Sequence, residues 1–337
     1  MIVNGYTIKP GAHLVQANLE KANLEDADLK GANLAGANLE NALLYFADLK
    51  GANLENANLE GADLYNADLT GANVKGARFG RAQLEGADLT DADLSGADLT
   101  QAFLSPVYLY NANLTDADLT FTNLNDSSVE GVNLSNALIV ETTFRNTYFG
   151  VADYSGIDFS AADLRGAHFS EANLENTNFS EADLSEADLT AANLTNANLS
   201  GAKLRNTNLT DANLTGANLS FADLRKMIWY SSGGDITRQS ESGANLTNAN
   251  VNGTDFSDAN LKDAILPELF FQHAIFDKKS FNEDDDDWDD LESVKDDYDP
   301  DGHPSWYEPR HCSECNGLFM PNEEESVYCN SCERKSM

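Results

Sequence analysis

Cysteine is missing from this 337-residue chain until Cys312, and its four cysteines lie in two pairs between Cys312 and Cys332. No apolar run approaches the length of about 18 residues that would cross a membrane as a helix. The N-terminus also lacks the basic and apolar regions of a secretory signal. These absences argue against a disulfide framework across the fold. They predict a cytoplasmic protein that does not bind membranes.

Basic residues are scarce as well. Lys and Arg together number 21, against 56 Asp and Glu, which gives a formal net charge of −35. Because so negative a surface repels phosphates, we expect no direct binding to nucleic acid, and a basic protein is the favoured partner. The five histidines are scattered, and the sequence contains no phosphate-binding loop, dinucleotide motif or nucleophile elbow. We therefore expect no enzymatic activity.

What the sequence does contain is a five-residue repeat. From Leu14 to Leu224 every fifth position is apolar, and 33 of these 43 positions are Leu. Two positions earlier in each repeat, 34 of 43 are Ala, and the position between is Asn or Asp in 31 cases. The repeating unit is therefore A-(N/D)-L-x-x, and it must set the architecture of most of the chain.

Neither a helix nor a straight strand keeps this pattern on one side. At about 3.6 residues per turn, a helix rotates each successive Leu by roughly 140°. In a strand the side chains alternate, so successive Leu residues would change face. Ala and Leu share a side only if the chain turns a corner once per repeat, with Asn or Asp supporting the turn. Four such corners close a square coil, so that one coil comprises four repeats.

This unit resembles that of the pentapeptide-repeat family, whose fold is a right-handed quadrilateral β-helix. The resemblance covers residues 12–281 and implies an all-β solenoid of about 13 coils. In that fold the central Leu, for example Leu64, fills the interior, and Ala, for example Ala62, fits where the coil is narrow.

The register of the repeat breaks once. The step from Leu224 to Leu246 exceeds one coil by two positions, and the segment between them is rich in glycine and polar residues. Such a segment predicts a loop that leaves the wall of the solenoid. The predicted divisions are a lead-in (1–11), a first run of repeats (12–224), a loop insertion (225–243), further repeats (244–281), an acidic flexible linker (282–310) and a zinc-ribbon-like segment (311–337).

The last repeats admit two interpretations. The five-residue step continues through Phe271, Phe276 and Phe281, with Leu269 and Ala274 in the position of Ala. The alternative for residues 266–281 is an amphipathic helix that caps the solenoid. The spacing of the phenylalanines favours the repeat.

The predicted linker contains a pattern typical of calcium loops. Twelve of residues 283–301 are acidic, which is typical of a solvated linker. Residues 297–308 nevertheless match the loop pattern D-x-D-x-D-G-x5-E in full. Pro304 and Pro309 disfavour calcium, because they occupy the central position and the place of the exiting helix. The solvated linker is the preferred interpretation; the calcium alternative would use Asp297, Asp299, Asp301 and Glu308.

The C-terminal cysteines follow the spacing of a zinc site. Cys312-x2-Cys315 and Cys329-x2-Cys332 are joined by the segment 316–328. Two such knuckles supply the four thiolates of a structural zinc site, with no open position for catalysis. The segment resembles a zinc ribbon, and one so short is expected to fold only with its metal. A labile disulfide pair, or His311 in place of one Cys, are the alternatives.

Two groups of outward-facing apolar residues are candidate surfaces for binding another protein. Because four repeats make one coil, Tyr65 is expected directly above Tyr45. The alternative is that these side chains only stabilise the wall by packing over neighbouring strands. We expect a scaffold for protein interactions, and the sequence does not select between a monomer and a dimer. The two groups are Leu43, Tyr45, Phe46 and Tyr65, and Phe121, Leu138 and Val140.

The family resemblance implies a second hypothesis. Some pentapeptide-repeat proteins resemble B-form DNA in width and charge and bind type II topoisomerases such as DNA gyrase. Residues 1–281 carry 38 acidic and 17 basic residues, which favours such mimicry. However, 14 of the acids within residues 12–224 are Asp at the repeat position where Asn serves equally, so part of the charge follows from turn chemistry. The long rod, the late insertion and the cysteine-rich tail also depart from the gyrase-binding type.

Overall fold

The computed structural model describes residues 1–230, 236–268, 270–276, 280, 310–311 and 318–319. Parallel β-bridges join residues one coil apart, such as His13 with Asn33 and Asn33 with Asn53. The bridges recur at every fifth position along most of the chain and form four ladders, two of which are interrupted after Asn133 and Leu138. The predicted all-β solenoid is confirmed, although each wall consists of single bridges rather than long strands.

The interior is filled as the repeat predicts. Leu64 and Ala62 are fully buried, as are most of their equivalents along the solenoid. Each buried Leu contributes about 1.5–3 kcal/mol relative to an exposed one. Where Thr replaces Ala, its hydroxyl donates to a backbone carbonyl of the preceding coil: Thr122 Oγ1 lies 2.9 Å from the Leu99 oxygen, and Thr142 Oγ1 lies 2.7 Å from that of Leu119. These buried hydroxyls are therefore satisfied.

The corners depend on two positions of the repeat. The Asn or Asp side chain accepts a hydrogen bond from the backbone two positions on, as Asn38 Oδ1 does from the N–H of Glu40. Asn side chains one coil apart also bond each other, as Asn58 Nδ2 does to Asn38 Oδ1 at 3.2 Å. The last residue of the repeat takes a φ of 51° to 73° at every corner from Gly11 to Phe221 except Pro106 and Val151. Gly, Asn and Asp predominate there because they tolerate left-handed backbone best.

Val151 marks the place where the wall opens. A β-branched residue is strained in left-handed backbone, and Gly150 takes the positive φ (+64°) one position early. The N–H of Ala152 then bonds to the carbonyl of Gly150 and not to the carbonyl three positions back. Between residues 13 and 223, all of them described, only here do ladders break: Asn133 and Leu138 form no bridge to the next coil. The other two ladders continue through Thr143 and Tyr148.

The insertion lies within a single corner. Asn208 bridges to Asn245, whereas the regular step of the ladder would reach Ile228. The insertion therefore lengthens one coil and does not replace a coil. The step from Leu224 to Leu246 is thus one regular repeat step with an inserted segment, and not one full coil with two extra residues. The described parts of the insertion are strands β3 (Ile228–Tyr230) and β4 (Ile236–Gln239), which pair antiparallel. The predicted loop therefore includes a β-hairpin.

Short elements flank the repeats. Strands β1 (Ile2–Val3) and β2 (Tyr6–Thr7) form an antiparallel hairpin at the N-terminus. Near the other end the helix α1 (Phe270–His273) makes one turn, and beyond the solenoid β5 (Arg310–His311) pairs antiparallel with β6 (Leu318–Phe319). No helix in the described part of the chain is long and apolar enough to cross a membrane.

The helical turn α1 interrupts the predicted repeat. The side chain of Phe270 is buried in the interior, where the chain turns as a helix. The repeat register is regained at once, since Ile275 bridges to Asp255 one coil before. The helix is limited to this one turn, and the repeat interpretation holds at Ile275. Leu269, the side chain of Phe271 and Phe281 lie outside the described part of the chain.

Candidate functional site

The first predicted group forms one exposed aromatic patch, which we define as Leu43, Tyr45, Phe46 and Tyr65. The Phe46 and Tyr65 rings meet edge to face, with centroids 5.9 Å apart, and the Tyr45 and Phe46 centroids are 6.3 Å apart. Phe46 is 52% exposed and Tyr65 47% exposed. The structure thus brings the three rings together, and Leu43, Phe46 and Tyr65 remain open to solvent.

Acidic side chains surround this patch. Tyr45 donates from its hydroxyl to Glu25 Oε2 at 2.6 Å, and this bond raises the pKa of the tyrosine. A shallow groove of about 410 Å³ is lined by Tyr45 and Tyr65 together with Asp63, Gln83 and Glu85. Aromatic faces beside carboxylates form an environment that suits a guanidinium or ammonium group.

Arginines occupy the same wall further along the chain, and we define the arginine patch as Arg145, Arg165, Arg205 and Arg225. Asp163 accepts from Arg145 Nε at 2.6 Å and from Arg165 Nε and Nη2 at 2.9 and 2.7 Å. Asp223 sits in the same way between Arg205 and Arg225, three coils on. The two carboxylates hold the four guanidinia in one row.

The carboxylates of Asp163 and Asp223, which lie between paired arginines, have pKa values below that of an ordinary aspartate. Burial alone would raise the pKa of Asp163, but hydrogen bonds from Arg165 and Arg145 outweigh it and lower the pKa. Asp223 follows the same pattern: burial is opposed by hydrogen bonds from Arg225 and Arg205, and its pKa is lowered. Both side chains therefore stay ionised in mildly acidic solution.

These lowered pKa values predict an acid-sensitive stability. Because the folded values lie below the ordinary aspartate pKa of about 3.9, the stabilisation is present above that pH and is lost as the pH falls through the folded values. We expect the melting temperature of the wild-type protein to fall more steeply below about pH 4 than that of a double variant, D163N with D223N. Asn is compatible with this repeat position, as at Asn173.

Thermal unfolding followed by circular dichroism between about pH 2 and 7 measures this difference. Asp158→Asn is the matched control, because Asp158 occupies the same repeat position and forms no ion pair among the described residues. It should retain the wild-type acid dependence. Parallel curves for the wild type and the double variant would contradict the prediction.

The second predicted group lies beside the open part of the wall. The N–H of Phe121 donates to the carbonyl of Val140 at 2.9 Å, so the two corners are stacked. Leu138 is 54% exposed and lies on the ladder that ends there, and Val151 is 62% exposed. The three predicted residues are thus adjacent and exposed next to backbone that makes no bridge to the following coil.

The model of the protein family described as pentapeptide repeats matches this chain over most of the solenoid. The chain belongs to the pentapeptide-repeat family. No curated protein sequence matches the chain significantly. The matched residues are 11–44, 42–80, 69–105, 112–150, 157–196, 192–226 and 242–277.

Solved structures of other pentapeptide-repeat proteins are similar to the chain. HetL of the cyanobacterium Nostoc sp. strain PCC 7120, described as involved in heterocyst differentiation regulation, is 29% identical over 73% of this chain and 92% of its own, with a TM-score of 0.43. QnrB1, described as a plasmid-mediated fluoroquinolone resistance protein, is 18% identical over 56% of this chain and 87% of its own, with a TM-score of 0.30. Rfr23 of the cyanobacterium Cyanothece 51142 is 36% identical over 31% of this chain and 64% of its own, with a TM-score of 0.15.

One feature of this pentapeptide-repeat protein was missed in the sequence. The arginine patch can be read from spacing alone, because neighbouring members are one or two coils apart and so share one column of the solenoid. The apolar outward residues indicate only the aromatic patch, and the charges in the same column are a separate signal.

The metal sites predicted in the tail lie outside the described residues, and calcium and zinc both remain predictions. Strands β5 and β6 flank the first cysteine pair in the sequence. No group of three or more His, Cys, Asp or Glu side chains suited to a metal ion occurs within the described part of the chain. The residues concerned are Cys312, Cys315, Cys329 and Cys332 for zinc, and Asp297, Asp299, Asp301 and Glu308 for calcium.

Proposed function

We propose that this protein is a non-catalytic scaffold whose solenoid binds a basic protein partner. The observation that carries the proposal is the aromatic patch, in which exposed rings lie beside a groove lined by carboxylates. Tyr and Phe supply large contact areas at low entropic cost, and such anchors dominate the energy of protein interfaces. The carboxylates of Asp63 and Glu85 add selectivity for a cationic side chain.

The patch can be removed without disturbing the repeat. Phe46 occupies the left-handed corner position, where Asn is common, and Tyr65 occupies a position that holds Ser at Ser105. A double variant, Phe46→Asn with Tyr65→Ser, should keep the fold and lose the partner in affinity purification from cells. Phe221→Asn with Tyr110→Thr removes the same residue types from other places on the surface and should retain it. Equal recovery by both variants would reject the patch as the binding surface.

We assign recruitment to the cysteine-rich tail as a second part of this proposal. The rod alone is rigid and repetitive, and the tail supplies a separate module joined by an acidic segment. Affinity purification with the full chain and with a chain ending at Phe281 tests the assignment. Loss of a subset of partners from the shorter chain supports it, whereas identical partners would show that the tail does not recruit.

Zinc is expected to hold this tail together. The purified chain should contain about one zinc per molecule, because four thiolates complete one tetrahedral site. Cys315→Ser or Cys332→Ser should abolish zinc binding, and His311→Ala should not, since His311 is not among the four expected ligands. Metal analysis by mass spectrometry measures the ratio. Zinc that survives both cysteine substitutions would contradict the prediction, and the solenoid's circular dichroism should be unchanged by a chelator.

DNA mimicry is the alternative function, and one observation favours it. Four aspartates stack in one ladder one coil apart, which gives a regular column of negative charge on the N-terminal half of the rod. Lys30 and Lys50 neutralise part of that column through ion pairs of 2.8 Å. A gyrase supercoiling assay tests it: no inhibition and no protection from a quinolone at large excess would reject it. The four residues are Asp28, Asp48, Asp68 and Asp88.

A further inference from the structure

The aromatic patch and the arginine patch lie on one unbroken wall of the solenoid. The ladder that begins at Asn23 bridges continuously to Asp223, through Leu43 and Asp63 and later through Asp163. The residue two positions after each ladder residue forms a second column on the same wall. That column reads Glu25, Tyr45, Tyr65, Glu85, Ser105, Asn125, Arg145, Arg165, Ser185, Arg205 and Arg225.

The two halves of this column are complementary. The first half presents two carboxylates and two phenol rings, and the second half presents four guanidinia. Both halves use the same step of one coil, about 4.8 Å from one member to the next. A guanidinium carries five N–H donors. Asp163 accepts only one from Arg145 and two from Arg165, so both keep donors for a further carboxylate.

A two-fold axis through the middle of the column pairs these halves. If two chains pack antiparallel with the axis between Ser105 and Asn125, members equally far from the axis on its two sides come opposite each other. Glu25 then faces Arg205, Glu85 faces Arg145, and Tyr65 faces Arg165.

We propose that the partner of the aromatic patch is the arginine patch of a second copy of this chain, bound antiparallel across this wall. The proposal rests on the proposed function and names the occupant of the same surface: the chain is acidic as a whole, and its arginine patch is the basic partner surface. Each contact occurs twice in such a dimer, as two-fold symmetry requires. Arginine over a tyrosine ring and arginine against a carboxylate are both favourable at a partly desolvated interface.

The geometry favours a second copy over an unrelated basic protein. The complementary groups are carried by one rigid wall with one repeat spacing, so all of them come into register together. An unrelated partner would have to reproduce that spacing. The net charge of residues 1–281, with 38 acidic and 17 basic residues, opposes association, so the local complementarity must outweigh a general repulsion.

Reciprocal charge reversal tests the dimer. One variant carries Glu25→Arg and Glu85→Arg, and the other carries Arg145→Glu and Arg205→Glu. Each alone should weaken self-association about tenfold or more, because like charges then face each other at both symmetric contacts. Mixed in equal amounts, the two variants should form a heterodimer, since one contact is wild type and the other has both charges exchanged.

Sedimentation velocity of the purified full chain near physiological salt, with mass-tagged variants for the mixture, gives the readout. The control is Lys75→Glu with Arg81→Glu, which makes the same change in net charge as the arginine variant but lies outside the column. It should retain self-association, apart from the general effect of the added negative charge. Circular dichroism confirms that each variant is folded.

A monomeric wild-type chain, or variants that do not recover association on mixing, would overturn the dimer. The proposed scaffold function would survive that result if the Phe46→Asn and Tyr65→Ser variant still lost a cellular partner. Conversely, a heterodimer from the mixture with no effect of that variant on any partner would support the dimer and reject the scaffold. The two failures are therefore distinguishable.

Discussion

Replacing Phe149 by Ala is expected to lower the free energy of unfolding by about 3–5 kcal/mol. Phe149 is fully buried and stacks on Phe169 with centroids 4.0 Å apart. It also meets Phe159 and Tyr154 edge to face, at 5.7 and 5.3 Å. Removing the ring would leave a cavity among these aromatic side chains, and the loss should lie within this range.

Chemical denaturation followed by circular dichroism measures the change. Phe103→Ala is the matched control, because Phe103 is 51% exposed on the wall and its loss leaves no cavity. It should cost about 0.5 kcal/mol or less. Since each coil contacts only its neighbours, Phe149→Ala should also raise hydrogen exchange mainly in coils near residue 149. An equal cost for the two substitutions would contradict the account of the interior.

Deleting residues 226–242 is expected to leave the solenoid intact. The N–H of Ala244 already bonds to the carbonyl of Leu224 at 2.8 Å, the same bond that closes an ordinary corner such as Leu24 with Ala27. The deletion makes Ala244 the third residue after Leu224, as in every regular repeat. Gly243 then supplies the corner residue, where a left-handed backbone costs glycine little. The shortened chain should melt within a few degrees of the wild type.

Deleting one position more, 226–243, should be far more damaging. The corner would then hold one residue between Leu224 and Ala244 instead of two, which cannot span the turn while keeping both side chains inside. The coils from Ala244 onward should lose their protection from hydrogen exchange, while those before Leu204 retain it. Equal protection in the two deletion variants would show that the corner does not need its two residues.

The five-residue period determines most of the fold because few backbone arrangements satisfy it. An odd repeat with Ala and Leu two positions apart keeps both inside only by turning a corner, so Leu64 and Ala62 could be placed in the interior from the sequence. The coil of four repeats then stacks Tyr65 on Tyr45. The same rule identifies the arginine patch, since Arg145 and Arg165 differ by one coil.

Two features of the solenoid cannot be predicted from the five-residue period. The interruption at Val151 depends on which residue takes the positive φ, because the two ladder positions that follow, Asp153 and Asp158, make no bridge to the preceding coil. The single turn of helix α1 likewise places Phe270 in the interior without altering the register that follows. The five-residue period predicts neither feature, because each depends on a choice between local backbone conformations that span the same number of residues.

The sequence by itself determined the solenoid, the inward and outward residues and the aromatic patch, because a strict period translates directly into position on a coil. Only the tertiary structure decided three features: that the insertion belongs to one corner, where two ladders are interrupted, and how Asp163 and Asp223 bind the arginines. Those features arise from hydrogen bonds between neighbouring coils. Such bonds depend on backbone geometry after folding, and no spacing in the sequence specifies them.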